Sequence, residues 1–328
     1  MRLGRLRPDG FLLALLATVA LASVWPEGGA SGGPLHVDIL SQLAVSLVFF
    51  LHGAQLPLES LSRGARNLRL HLVVQAFTFV AFPALGAVVL VFGGNLLTRG
   101  LGLGFFFLCT VSSTISSAVA MTAVAGGNVP GALFNATLSG VLGVVVTPLL
   151  VGFVADTADL AAPLPAAILS VALKVLSPLA LGQLLRARLA GLLGRHRDAV
   201  VLADRGAIVL IVYGAFCDSF RAGIWGRSSA SGLLAVIGIA LLLFCAATVA
   251  LIVLCRRLRL PVTDEIAAVF CGSQKSLANG LPIAKALFGT SPLLSLIVLP
   301  MMVYHQLQLT LGSVLARRYA DASRRVVR

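Results

Sequence analysis

The stretch FCGSQKSLANGLP, residues 270–282, places a lysine, a glutamine, an asparagine and two serines inside an otherwise apolar segment. Of the 328 residues, 58% are hydrophobic and only 11% are charged, whereas soluble proteins average about 25% charged residues. Apolar runs long enough to cross a bilayer recur along the whole chain. The composition therefore predicts an all-α polytopic membrane protein, in which a polar stretch at mid-membrane depth needs a specific reason.

The apolar runs predict ten transmembrane helices joined by short loops. The predicted spans are 10–26, 36–56, 69–92, 100–125, 129–154, 163–185, 204–224, 230–255, 263–288 and 291–316. Five spans lie in residues 1–157 and five in residues 158–328. Because an odd number of spans turns the second half over in the membrane, this division predicts two inverted five-helix repeats.

The basic residues are distributed asymmetrically between the two sides of this arrangement. Nineteen of the 25 fall in the termini and in the loops on the side of the N-terminus, and three fall on the other side. The other three are Lys174, Lys275 and Lys285, which lie inside spans. The positive-inside rule then predicts a cell-membrane protein with both termini in the cytoplasm. We expect Lys285, near the outer end of its span, to extend towards the membrane surface.

The first span has two interpretations. Residues 1–23 have a basic start, an apolar centre and a small-residue end, which is also typical of a cleaved signal peptide. The division into five and five spans favours a retained first helix. The charge asymmetry does not separate the two interpretations, because both leave the loop at 57–68 in the cytoplasm.

Polar residues interrupt the fourth and ninth spans, which occupy the same position in the two halves. The stretch CTVSSTISS (109–117) interrupts the fourth and CGSQKS (271–276) the ninth. Lipid cannot satisfy the backbone groups that a broken helix frees, so a break requires a protein or aqueous surrounding. Paired breaks of this kind indicate a transporter site near the bilayer midplane. The serine run alone is also typical of helix packing, but a lysine at mid-membrane costs about 2.5–3.5 kcal/mol.

Four segments carry a resemblance to a known family: FFLHGAQLPLESL (49–61), LRLHLVVQAFTFVAFPALG (68–86), SSTISSAVAMTAVAGGNVPGALFNATLSG (112–140) and FCGSQKSLANGLPIAKALFG (270–289). The chain resembles the bile acid:sodium symporter superfamily over essentially its whole length. It is most similar to the branch of bacterial sodium-dependent transporters that includes a vertebrate regulator of calcium entry. The resemblance implies a panel of helices 1, 2, 6 and 7 and a core of helices 3, 4, 5, 8, 9 and 10, in which helices 4 and 9 are broken and cross.

The same resemblance implies two sodium ions behind this crossing. By position, the ligands of the first ion are Ser116, Ser117, Asn135 and Ser139. Those of the second ion are Gln75, Cys271, Ser273 and Gln274. Apart from this coupling ion, no cofactor is expected.

Two departures from the family pattern complicate sodium binding. Phe270 stands where bile acid-transporting relatives carry a glutamate shared by both sites, and Lys275 stands where they carry a neutral amide. Two unit charges about 5 Å apart, at an effective dielectric near 20, interact by about 3 kcal/mol, so a charged lysine opposes a neighbouring sodium ion. Three interpretations stay open: Lys275 replaces one sodium as a fixed cation, binds an anionic substrate, or exchanges a proton and couples transport to protons.

These observations together predict a secondary transporter for a small organic anion, coupled to sodium. The candidate substrate-binding residues are Lys275, Ser276, Asn279, Ser113, Thr114 and His305. The alternatives are a proton-coupled or sodium-independent transporter, and a non-transporting regulator of ion homeostasis with the same fold. An enzyme is not expected, because the chain has no GxSG-type nucleophile motif and no P-loop. His305 could relay protons or serve as a hydrogen-bonded structural histidine.

Overall fold

The computed structural model describes residues 10–55, 66–155, 166, 169, 172–223, 225, 230–289 and 291–326. Within these ranges all regular elements are helical and no strand occurs, which confirms the all-α prediction. The helices are α1 (Gly10–Val24), α2 (Pro26–Gly29), α3 (Val37–Gln55), α4 (Leu68–Phe92), α5 (Arg99–Thr110), α6 (Ser116–Val124), α7 (Val129–Gly152), α8 (Ser177–Arg195), α9 (Arg197–Arg221), α10 (Ala230–Arg257), α11 (Val262–Ser273), α12 (Leu277–Phe288) and α13 (Leu294–Val326).

Six of the described helices are long and apolar enough to cross a membrane. They are Val37–Gln55, Leu68–Phe92, Val129–Gly152, Arg197–Arg221, Ser231–Arg257 and Leu294–Ala322. The other four predicted spans correspond to α1, to α8, and to the two interrupted helices α5–α6 and α11–α12. The predicted boundary between residues 157 and 158 lies outside the described residues, as do the N-terminal arginines and the loop at 56–65.

One predicted loop is helical. The apolar runs predict a sixth span that ends at residue 185 and a seventh that begins at 204, but α8 continues to Arg195 and α9 already begins at Arg197. Hydropathy detects only the part of a helix that is apolar, whereas arginine and leucine both favour helix in water as well. The two helices therefore extend beyond their apolar portions.

Polar side chains at three helix starts determine where the helices begin. The Asn67 side chain accepts a hydrogen bond from the backbone of Leu70 at the start of α4, at 3.2 Å. At the start of α7, Asn128 accepts from the backbone of Gly131 at 2.9 Å. Ser276 caps α12 in the same way. Each cap satisfies one of the backbone N–H groups that have no partner within the first turn of a helix.

Four helices form one packed unit, the α3 group (α1, α3, α8 and α9). Helix α3 packs along α8 and α9, and α1 packs along α9. The contact between α3 and α8 depends on glycine, since a Cβ atom at Gly53 would overlap the backbone carbonyl of Leu179 and one at Gly182 that of Phe50. Small residues allow helix backbones to approach closely within a membrane.

The remaining long helices form the α13 group (α4 to α7 and α10 to α13). Helix α13 packs on α5, α10 and α12, while α11 packs on α6, α7 and α10. Buried aromatic rings such as Phe105, Phe107 and Tyr304 fill this unit. Helices α12 and α13 also contact the α3 group, so they lie at the junction of the two units.

Candidate functional site

The first break separates α5 from α6 within the predicted stretch 109–117. Helix α5 ends at Thr110, and Val111 adopts extended backbone angles (φ −68°, ψ 147°). The Thr110 hydroxyl donates to the Phe107 carbonyl at 2.8 Å. Serine and threonine hydroxyls offer the backbone alternative hydrogen bonds, which explains why a run of them interrupts a helix. Residues 111–114 are buried, so the break lies inside the protein.

The second break separates α11 from α12 at residues 274–276. Gln274 has extended backbone angles (φ −92°, ψ 137°). Ser276 then starts α12, and its Oγ accepts a hydrogen bond from the Asn279 backbone at 3.1 Å. Gln274, Lys275 and Ser276 are all buried.

The two breaks contact each other at Ser112. The backbone N–H of Ser276 donates to the Ser112 carbonyl at 2.9 Å. The Asn279 side-chain amide donates to the Ser112 Oγ at 3.1 Å. Helix α7 approaches them closely, because a Cβ atom at Gly143 would come within 2.7 Å of the Ser112 Cβ. The interrupted helices therefore meet through their non-helical segments.

The carbonyls freed by the first break are satisfied by other parts of the chain. Four carbonyls, those of residues 109–112, lie at this break. Lys275 donates to the Cys109 carbonyl at 3.0 Å and to the Val111 carbonyl at 2.9 Å. The Thr147 hydroxyl donates to the Thr110 carbonyl at 2.8 Å, and the Ser276 backbone N–H donates to the Ser112 carbonyl at 2.9 Å. Buried backbone carbonyls are costly to leave unpaired, and here each of the four has a donor.

The ammonium of Lys275 lies in a pocket of backbone oxygens, which we call the carbonyl cradle. It is formed by the carbonyls of Thr78, Cys109 and Val111 together with the ring of Phe82. The Thr78 contact measures 3.3 Å, and the Nζ lies 4.2 Å from the centre of the ring. The whole side chain is only 1% exposed.

A π-helical turn in α4 presents the third carbonyl. Residues Phe77–Ala81 form this turn, in which the N–H of Phe82 donates to the Phe77 carbonyl. The next N–H in that pattern would come from residue 83 and reach the carbonyl of Thr78. Residue 83 is proline and has no N–H. The Thr78 carbonyl is therefore left for the lysine, as is common at π-turns near functional sites.

The geometry of the cradle matches the donors of a charged Lys275. An ammonium carries three N–H donors and no acceptor, and three carbonyl acceptors surround it. A neutral amine would point its lone pair at one of these oxygens. No salt bridge to Lys275 occurs among the described residues. As a charged ammonium, the Lys275 side chain would use all three donors on these carbonyls and have none left for an anion in this conformation.

The predicted sodium ligands form pairs rather than two closed shells. The Gln75 amide donates to the carbonyl and to the Oδ1 of Asn135, at 3.1 and 3.2 Å. Ser117 donates to the Gln274 Oε1 at 2.6 Å. Ser139 accepts from the backbone of Ser113 at 2.9 Å. Gln75 and Asn135 join the two predicted sites, since each was assigned to a different ion.

The other predicted ligands have separate surroundings. The Ser273 carbonyl accepts from the Tyr304 hydroxyl at 2.6 Å. The Cys271 thiol contacts the Ala132 carbonyl at 3.4 Å, and Ser116 is exposed at the start of α6. No group of three His, Cys, Asp or Glu side chains suited to a metal is found in the described part of the chain.

The predicted substrate-binding residues lie on both sides of the crossing. Ser276 and Asn279 contact Ser112 directly, and Thr114 is buried in the first break, two residues after Ser112. The Ser113 hydroxyl is buried and has no hydrogen-bond partner among the described residues. His305 lies on α13, where its Nδ1 is 3.1 Å from the side-chain amide of Gln308.

Lys285 is a second buried lysine, located on α12 at the junction with the α3 group. The expectation that it reaches the membrane surface was wrong, because it is only 4% exposed. The packing of α12 on α3 and α9 covers it, and Asp218 and Asp38 on those helices act on it electrostatically. No hydrogen bond from its ammonium occurs among the described residues.

Two buried carboxylates at the start of α11 hold the adjoining helix ends together. Asp264 accepts from the side-chain amides of Asn67 and Asn128, at 2.6 and 2.7 Å. Glu265 pairs with Arg256 at 3.2 Å and accepts from the Tyr319 hydroxyl at 2.8 Å. These contacts join the ends of α4, α7, α10 and α13 to α11.

Sequence reasoning missed several residues at this site. The cradle residues Thr78, Cys109 and Val111 act through backbone carbonyls, which no side-chain pattern reveals. Pro83 within an apolar span was the available signal, because a proline in a helix removes one backbone donor. Gln308, in contrast, is an intramembrane glutamine that the sequence already indicates as a candidate, and it hydrogen-bonds the main chain of Lys275.

Two interrupted helices that meet inside a bundle of apolar helices define a membrane transporter of the broken-helix type. The chain belongs to the SBF-like CPA transporter family (DUF4137), whose family model matches residues 9–321. It is therefore an integral membrane protein of a transporter family, as the resemblance implied, and not an enzyme.

Relatives match the chain over nearly all of its length. A Pseudomonas aeruginosa protein named "Uncharacterized protein PA2026" is 40% identical, covering 96% of this chain and 94% of its own. The Escherichia coli protein named "Putative symporter YfeH" is 39% identical, with coverage of 95% and 92%. Sodium/bile acid cotransporter 7 of Danio rerio is 32% identical, with coverage of 95% and 94%.

Proposed function

We propose that the protein is a secondary transporter that moves a small organic anion across the cell membrane, coupled to sodium. The observation that carries this proposal is the buried contact between the two helix breaks, at Ser112 and Ser276. Membrane proteins tolerate such breaks where they line a binding site or cavity. The names of the relatives, a symporter and a sodium/bile acid cotransporter, support coupled transport.

The proposed topology has ten spans. They are the six long apolar helices, the two interrupted helices, α1 and α8. The α3 group would be the panel and the α13 group the core, in two inverted repeats with both termini in the cytoplasm. Helices α12 and α13 contact both groups, so sliding at this junction would expose the crossing first to one side and then to the other.

An anion is the substrate class that the electrostatics favour. Lys275 is a buried positive charge with no salt bridge among the described residues, and the exposed start of α6 at Ser116 adds the positive end of a helix dipole. A unit charge about 8 Å away, at an effective dielectric near 20, contributes about 2 kcal/mol. Lys275 would therefore attract the substrate through its field, while Ser113, Thr114, Ser276 and Asn279 bind it directly.

The Gln75–Asn135 pair is the part of the predicted sodium-binding set that the geometry supports best. The Oε1 of Gln75 is buried and has no hydrogen-bond partner among the described residues. An unpaired buried oxygen costs about 1–3 kcal/mol, and a bound cation would remove this cost. In contrast, the Ser273 carbonyl and the Gln274 Oε1 already accept hydrogen bonds.

The test is a thermal-stability screen of the purified protein with small organic anions, with and without sodium and across pH. A ligand that binds the folded state raises the apparent stability. Anions that stabilise only in sodium indicate sodium coupling, and sodium-independent but pH-dependent stabilisation indicates proton coupling. Each hit is then assayed for uptake into proteoliposomes under an imposed ion gradient. Binding without flux under either gradient would contradict the transporter and favour a regulator.

A further inference from the structure

The carbonyl cradle has the composition of a site for a monovalent cation. Its three carbonyl oxygens come from α4, from the last turn of α5 and from Val111 in the first break, and they converge on one point at 2.9–3.3 Å. The ring of Phe82 covers that point from a further direction, at 4.2 Å. Backbone carbonyls replace the hydration shell of monovalent cations in selective pores, and aromatic faces attract cations.

The oxygens of the cradle are free for reasons that do not involve the lysine. Pro83 removes the backbone donor that the π-turn would supply to Thr78. The N–H of Ser113, which would continue α5 by donating to Cys109, donates instead to the Ser139 hydroxyl at 2.9 Å. The carbonyls of Thr78 and Cys109 thus lack their helical donors, and Val111 lies beyond the end of α5 with extended backbone angles. A third segment, the second break, supplies the cation.

The main chain of Lys275, which supplies the cation, is fixed by hydrogen bonds. Lys275 lies between α11 and α12, and the side chain of Gln308 bonds both its N–H and its carbonyl. The lysine side chain therefore connects the second break to the first break and to α4. The ammonium therefore supplies the positive charge that a bound cation would supply to these carbonyls. No ion has to enter or leave the cradle.

We infer that the carbonyl cradle is a monovalent-cation site, which this chain occupies permanently with the ammonium of Lys275. A neutral small residue at position 275 would leave the same oxygens open to a free ammonium or alkylammonium ion. The consequence for transport rests on the proposed function. A transporter whose cradle is filled by its own lysine would move one cation fewer in each transport cycle than a transporter whose cradle binds a free cation.

The test uses the Lys275→Ala variant and the ion that replaces the missing atoms. Alanine keeps the Cβ, so the removed part of the side chain corresponds to n-propylammonium. The melting temperature of purified protein is measured in n-propylammonium chloride and ammonium chloride, against tetramethylammonium chloride of equal concentration, which has no N–H donor. We expect both ions to raise the Tm of the variant by about 2–5 °C, n-propylammonium more strongly, and to leave the wild type unchanged.

Lys285→Ala is the matched control, because it removes another buried lysine that no carbonyl cradle surrounds. It should show no difference between the three salts. If the Lys275→Ala protein does not accumulate in a folded form, it and Lys275→Ser are produced and purified with n-propylammonium throughout, and folded yield is the readout. Recovery supports the inference. Equal behaviour in all three salts, or no recovery in either variant, overturns it.

The outcome is separable from that of the proposed function. Cation-specific stabilisation of Lys275→Ala in a protein that transports nothing would support the cradle and contradict the transporter. Anion uptake by the wild type, with no response of the Lys275→Ala variant to the cations, would support the transporter and contradict the cradle.

Discussion

The side chain of Gln308 hydrogen-bonds the main chain of Lys275 in both directions. Its Oε1 accepts from the Lys275 backbone N–H at 2.7 Å, and its Nε2 donates to the Lys275 carbonyl at 2.9 Å. Both residues are buried. An amide side chain thus supplies the donor and the acceptor that a neighbouring strand or helix turn would otherwise provide, and it does so where α11 is interrupted.

Replacement of Gln308 by leucine should destabilise the protein. The substitution keeps a similar volume but leaves one buried N–H and one buried carbonyl unpaired, at a cost of about 1–3 kcal/mol for an unpaired group. The measurement is the free energy of unfolding in detergent micelles. Gln306→Leu is the control, because the Gln306 side chain makes no hydrogen bond within the described residues. Equal stability of the two variants would show that the bonds to Lys275 contribute nothing.

Lys275→Arg should lose most of the transport activity, although it keeps the charge. The guanidinium is planar and carries five donors, whereas the cradle is built for a compact ammonium with three. We expect uptake of the anion found in the screen to fall by at least about tenfold in proteoliposomes, equivalent to 1.4 kcal/mol. Lys174→Arg, at an exposed position, should retain wild-type uptake. Wild-type rates in Lys275→Arg would exclude a cradle specific for ammonium.

Asp264→Asn should weaken the contact between the ends of α4, α7 and α11. Both oxygens of Asp264 accept hydrogen bonds from amides, and an asparagine would turn one acceptor into a donor that faces a donor. A loss of about 1–3 kcal/mol in the free energy of unfolding is expected. Asp321→Asn, at an exposed position of α13, makes the same chemical change and should leave the stability unaltered. A similar effect of both substitutions would attribute the loss to net charge.

Gly53→Ala should disrupt the packing of α3 on α8. The added methyl group would overlap the backbone carbonyl of Leu179, which cannot move aside as a flexible side chain can. Overpacking typically costs about 1–3 kcal/mol, measured as a lower Tm. In Gly191→Ala, on α8, the new Cβ would meet no atom within 4 Å, and alanine there should stabilise the helix by up to about 1 kcal/mol. A neutral Gly53→Ala variant would mean that the helices can separate without cost.

Several features of the fold could be predicted because they depend on local sequence. Apolar runs predict spans, and the stretches 109–117 and 270–282 interrupt them visibly; the structure has non-helical segments within both. The helical continuation of α8 to Arg195 was missed, since hydropathy reports the membrane-embedded part of a helix and arginine does not end one. The burial of Lys285 was also missed, because it depends on the packing of α12 against α3 and α9.

The candidate site was predictable as a region and not as a set of contacts. The sequence indicated Gln75 and Asn135 as polar residues within spans, and the family resemblance implied that they bind different ions. In the structure the Gln75 amide donates to Asn135. Ser117 and Gln274 likewise form a pair across the crossing. Such pairings depend on the relative rotation of four helices, and that rotation follows from the packing of all the apolar faces together.

The sequence alone predicts a helical membrane protein with two interrupted spans and a lysine in the second break. Hydropathy and helix-breaking chemistry are properties of consecutive residues, so they can be read without a fold. The surroundings of that lysine, in contrast, depend on how the helices pack. Its ligands are the carbonyls of Thr78, Cys109 and Val111, and because every residue has a carbonyl, only the positions of the helices distinguish the three that bind.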